Sequence, residues 1–245
     1  MLKNYRQVQE GNIDIRYVEG DEIHARDTMV ALREASCLLD QYFGLVSPFS
    51  NLRAILVPTR SEYERLVVNL LGVNIEIPSN PGRLAQPQRT DLVFLSPSAY
   101  EEHSTYTYYR DEYMRLVFHE AVHVYEELLS PNIEESPLWW SEGLAVYLSG
   151  QWKQEDQFRF RSPVAKGVAE ATIPSFASVA RERGLGYDWG WTVVMYIEDV
   201  QGKDMVISTV NNCSDGNIAL AIGEPQLEQK WRQWLQGRGR QLIGI

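Results

Sequence analysis

Basic residues are in short supply. Against 33 Asp and Glu the 245-residue chain sets 23 Lys and Arg, a net charge of -10. Binding nucleic-acid phosphates needs a basic face, so this balance argues against a nucleic-acid partner and against attraction to an anionic membrane surface. Cysteine is scarcer still. Cys37 and Cys213 lie far apart, carry no metal-ligand spacing and read as free thiols rather than a pair. Long apolar runs are missing too: no stretch approaches a membrane span, and the N-terminal MLKNYRQVQEGNIDIRY lacks the apolar core of a signal peptide. The literal expectation is a cytoplasmic protein, although an exported chain that starts after a removed signal reads the same way.

What remains is ordinary globular material. Hydrophobic residues make up 44% of the chain and charged residues 23%, enough for one large domain or one domain in two lobes. Residues 12–18, NIDIRYV, alternate as a strand, and the apolar spacing over 22–43 predicts an amphipathic helix closed by Gly44. NLRAILVP (51–58) reads as a buried strand. Ser61 with Glu64 forms a capping box that opens a helix over about 61–72. A proline-rich loop spans 73–90, and DLVFLSP (91–97) is a third strand, expected at the sheet edge where an extended peptide can add. Helices are expected at about 110–129, 137–149, 174–183, 186–200, 203–212 and 224–236. The expectation is a single α+β domain. It has a strand-bearing lobe (1–129) and a helical lobe (130–245) sharing one cleft, with a hinge near SPNIEESP (130–137).

Two of the four histidines fall in VFHEAVHVYEELLSP, residues 117–131. On a helix at ~100° per residue, Met114, Val117, Phe118, Ala121, Val122, Tyr125 and Leu128 form one apolar stripe. His119 and His123 stand opposite it, about 40° apart, so both rings can reach one metal ion. Glu120 lies about 60° round from His123, where a general base beside such an ion belongs. The same three residues also suit the wet side of an ordinary amphipathic helix.

A catalytic zinc site needs a third protein ligand. Glu126 and Glu127 continue the same helix, and from His119 to Glu127 the rise is about 12 Å, too long for convergence. The metzincin register fails, with Glu126 in its glycine place and Leu129 in its histidine place. Glu134 and Glu135 lie on a connecting loop, a poor scaffold for a precise ligand. Glu142 is the best candidate. It stands inside SPLWWSEGLAVYLSG, a helix with Ser136 as N-cap and Pro137 at its first position, with 18 residues between it and His123, and next to Gly143, which lets another backbone come close.

His-Glu-x-x-His-x18-Glu, with Trp139, Glu142, Gly143 and Ala145 as W-x-x-E-G-x-A, resembles the gluzincins, the thermolysin-like and M1-type zinc peptidases. The whole layout, with its Trp-rich LEQKWRQWL (227–235), also resembles the small peptidase MA-like domains of that clan. The resemblance implies a zincin fold with a zinc ion on His119, His123 and Glu142, Glu120 as general base, and a peptide or protein substrate. YDWG resembles the M1 Y-E-K-G stretch, which implies that Tyr187 donates to the oxyanion. Trp139, Trp140, Tyr106, Tyr108 and Tyr109 are candidates for subsites or core. The M1 signature that grips a free N-terminus, G-x-M-E-N, is absent, so aminopeptidase activity is unsupported. The place of a thermolysin-type orienting acid holds Val146. Two alternatives stay open: a zinc-binding recognition or regulatory domain without catalysis, and a metal-dependent hydrolase of another bond.

Overall fold

Polar strands at both edges bracket an apolar centre in the sheet of this α+β chain. The computed structural model describes residues 2, 4–130, 133–153, 159–212, 218 and 223–245. It separates into two compact units, Met1–Val124 and Tyr125–Ile245. Two parts of the sequence reading, Cys213 and positions 131–132 of the expected hinge, lie outside the described residues.

The first unit is built on a five-stranded mixed sheet in the order β1-β2-β3-β5-β4. β1 (Arg6–Glu10) and β2 (Ile13–Tyr17) form a hairpin, Glu10 opposite Ile13, with Gly11 at φ +57 supplying the left-handed turn residue. Helix α1 (Glu22–Phe43) packs on β2 and ends at Gly44 in the left-handed conformation, its N–H bonded to Asp40. β3 (Leu52–Val57) pairs parallel to β2, and β5 (Asp91–Leu95) parallel to β3. Ile15, Leu32, Leu39, Ile55, Leu66 and Phe94 are buried between sheet and helices.

Three sequence expectations change here. Helix α2 (Arg60–Asn69) is capped by Thr59, whose hydroxyl accepts from the Glu62 N–H, not by a Ser61–Glu64 box. The Glu64 carboxylate is buried and accepts instead from the Ser79 N–H and hydroxyl. The supposed loop 73–90 contains β4 (Ala85–Gln88), antiparallel to β5, so DLVFL is an inner strand with β4 outside it. Leu95 N–H donates to Leu84. That bond sets the alternation of the ladder and puts Pro87 in a non-hydrogen-bonded pair with Leu92. There the missing proline N–H faces away from β5. Arg60 ties the rest of the loop down by donating to the carbonyls of Pro81, Arg83 and His103.

After the short helix α3 (Tyr100–His103) comes α4 (Arg110–Leu129), and the boundary between the two units falls inside α4. The second unit is helical: α5 (Leu138–Ser149), α6 (Arg161–Ala169), α7 (Phe176–Arg181), α8 (Arg183–Gln201), α9 (Lys203–Asn212), α10 (Leu227–Gln236) and α11 (Arg238–Ile243). Helix α5 starts one residue later than expected, with Pro137 as the N-cap. Helices α6 and α11 lie where no helix was expected. Buried tryptophans fill this core. Trp140, Trp191 and Trp231 are fully enclosed, and the Trp231 indole N–H donates to Thr192. No helix among the described residues is long and apolar enough to cross a membrane.

Candidate metal centre

Helix α4 has no wet polar face at its middle. Val117, Ala121, Val122 and Tyr125 are buried as the stripe predicts, but His119 (6% exposed) and Glu120 (8%) are buried on other faces, and His123 is half-buried. Leu128, assigned to the apolar stripe, is 47% exposed. The chain therefore removes an acid and an imidazole from water where an amphipathic surface helix would solvate them. Buried ionisable groups persist only with partners or a ligand.

His119 finds its neighbours in His123 and Glu142. His119 Nε2 and His123 Nε2 lie 3.1 Å apart, their rings edge-on at 79°. One ligand atom each of His119, His123 and Glu142 lies within 4.8 Å of the others, the group among the described residues that could hold a metal ion. The donor set fits zinc. Zn–N bonds of 2.0–2.1 Å at a tetrahedral angle place two nitrogens about 3.4 Å apart, close to what is found. Two imidazoles and one carboxylate are also the donor types that zinc accepts. Glu126, ruled out above as a ligand, is 1% exposed, and its carboxylate accepts from Ser136 (3.3 Å) and Ser141 (2.5 Å).

Glu142 is buried in the first turns of α5, and Tyr187 of α8 donates its hydroxyl to Glu142 Oε1 at 2.5 Å. Burial, then the Glu142 charge, pushes the Tyr187 phenol above its ordinary value, so it keeps its proton. Arg183, one turn earlier on α8, reaches the Tyr187 hydroxyl at 3.4 Å and stands over its ring. The close backbone approach expected at Gly143 is present: its neighbour is Gly190 of α8, and a Cβ on either glycine would overlap the other helix's backbone. The two helices cross at van der Waals contact because neither residue has a side chain there.

Trp139 and Trp140 are core residues at 6% and 0% exposure. Tyr108 donates to Asp27, and Tyr109 is exposed. Two phenols that the sequence did not single out stand near Glu120 instead. The hydroxyls of Tyr63 and Tyr100 are buried without a hydrogen-bond partner. Burial raises both phenols, and the Glu120 charge adds to it. Neither carries a sequence signal, since each is one tyrosine in a polar helix start. A scan against protein-family models finds no match for this chain, and a search of curated proteins finds none.

Proposed function

We propose that the protein is a zinc-dependent peptidase of the gluzincin type, with a thermolysin-like zincin architecture and peptide or protein substrates. The observation that carries this is the gathering of His119, His123 and Glu142 ligand atoms within 4.8 Å of one another, with Glu120 buried one residue beyond the first ligand. Zinc bound there would supply Lewis acidity and bring the ionisation of water toward neutral pH. Glu120 takes a proton from the attacking water at its carboxylate and returns it to the leaving amide nitrogen, so the peptide C–N bond breaks with protons balanced. Tyr187 donates its Oη–H to the oxygen that gains negative charge at the scissile carbonyl. His119, His123 and Glu142 would hold the metal, each histidine through a ring nitrogen.

A second reading has one observation in its favour. The Tyr187 hydroxyl is already given to Glu142, as suits a site built to hold metal without turning over substrate. A peptide library digested in parallel by wild type and Glu120→Gln separates the two. The peptidase reading expects stoichiometric zinc in wild type and Glu120→Gln, zinc lost in His123→Ala, and cleavage by wild type alone. Zinc without cleavage leaves the binding reading, and wild type without zinc after gentle purification overturns both.

A further inference from the structure

We propose that Glu126 is a positioning residue for the metal centre: its carboxylate clamps the start of α5 and so sets where Glu142 stands before His119 and His123. The inference rests on the metal reading above and adds a residue that is not itself a ligand. On the helical wheel of α4, Glu126 lies about 20° from His119 and about 60° from His123, so all three share one face. At 1% exposure its carboxylate has no access to water and depends on protein donors.

Those donors bracket the start of α5. Ser136 Oγ, just before the Pro137 N-cap, donates to Oε1, and Ser141 Oγ, in the first turn, donates to Oε2. Each carboxylate oxygen holds one point on the incoming chain. Two points fix both the height of α5 and its rotation about its own axis. Ser141 immediately precedes Glu142, and consecutive helical residues stand ~100° apart, so a fixed Ser141 azimuth is a fixed Glu142 azimuth. From the other side Tyr187 holds Glu142 Oε1, and Gly190 holds the α5 backbone at Gly143. The third ligand is thereby positioned from three directions, as metal ligands with supporting partners are. Glutamate is the residue this clamp needs, because two acceptor oxygens at a fixed spacing serve two hydroxyl donors. Glutamine preserves the shape and one acceptor, and its amide can donate to a serine hydroxyl that turns to accept.

The test measures zinc affinity by chelator competition and the visible spectrum of the cobalt-substituted protein in the full chain. The variants are Ser141→Ala, Glu126→Ala and Glu126→Gln. Ser141→Ala and Glu126→Ala should weaken zinc about 10-fold and shift the cobalt bands, and Glu126→Gln should stay close to wild type. Metal-free Ser141→Ala should still unfold cooperatively, with its midpoint lowered because one buried Glu126 oxygen loses its donor, and the shifted cobalt bands separate a displaced ligand from that loss of stability. If Glu126→Ala fails to fold, Ser141→Ala carries the test alone. Wild-type zinc affinity and cobalt spectrum in Ser141→Ala would overturn the proposal while leaving the zinc centre standing. No metal uptake by wild type would instead remove the zinc reading on which it rests.

Discussion

The Tyr187 hydroxyl is bonded to Glu142 Oε1, and in the proposed mechanism the same proton must turn to the substrate oxyanion. If it does, Tyr187→Phe should lower kcat by about 100-fold, the scale of losing one such donor, and change KM far less. Steady-state kinetics on one cleaved peptide measures this, and an unchanged kcat removes the tyrosine from the chemistry. At this scale the sequence was legible where spacing carries meaning. His119, Glu120 and His123 declare themselves by a helical period, and Glu142 by its place in the next helix, with 18 residues between it and His123. Glu126 was legible only as a residue too far along the helix to be a ligand. Its partners come from 10 and 15 residues downstream on a chain that folds back, and one-dimensional periodicity holds no trace of that return. The orphaned hydroxyls of Tyr63 and Tyr100 were invisible for the same reason.

Among the elements, the crossing of α5 and α8 leaves the least slack. A Cβ at Gly190 would overlap the Trp139 carbonyl oxygen and lie 3.1 Å from Gly143 Cα, so Gly190→Ala must push two helices apart. The expected loss is about 3 kcal/mol, at the upper end of core overpacking, and urea unfolding at equilibrium measures it. Unchanged stability would mean that the helices separate freely. Long helices with clear apolar spacing were read to within a few residues, α1 with its Gly44 cap to the residue. The misses were polar or short. β1 is RQVQE and β4 is AQPQ, edge strands without the apolar alternation that marks a strand half-sunk in a core. The capping box at Ser61 failed because the helix starts earlier, on a Thr59 cap that puts Ser61 inside it, and the Glu64 carboxylate turns instead to Ser79.

At the level of the whole molecule, the α+β class followed from strands preceding helices along the chain, and both compact units bear it out. One consequence of the helical unit can be titrated. The Arg238 guanidinium forks onto Asp199, and the Trp234 indole adds a third donor, which together hold the Asp199 carboxyl below its ordinary 3.8. The folded value is the lower one, so this stabilisation is complete above the ordinary value and fades as pH falls below it. Asp199→Asn should lower the melting temperature at about pH 6 and cease to differ from wild type at about pH 2, as scanning calorimetry across that range will show. An equal difference at both ends would assign the loss to the indole bond rather than to charge.

The outer edge of β4 carries a further consequence. An open strand is a template on which other chains can grow, and flat apolar edges seed aggregates. Here the outer edge has a proline in its middle, placed where the ring removes a donor from the outside and none from the pairing with β5. A foreign strand laid along it would meet a gap in its ladder at Pro87. The sheet thus ends where its sequence ends it, at a strand that gives copies of the protein a broken template to extend.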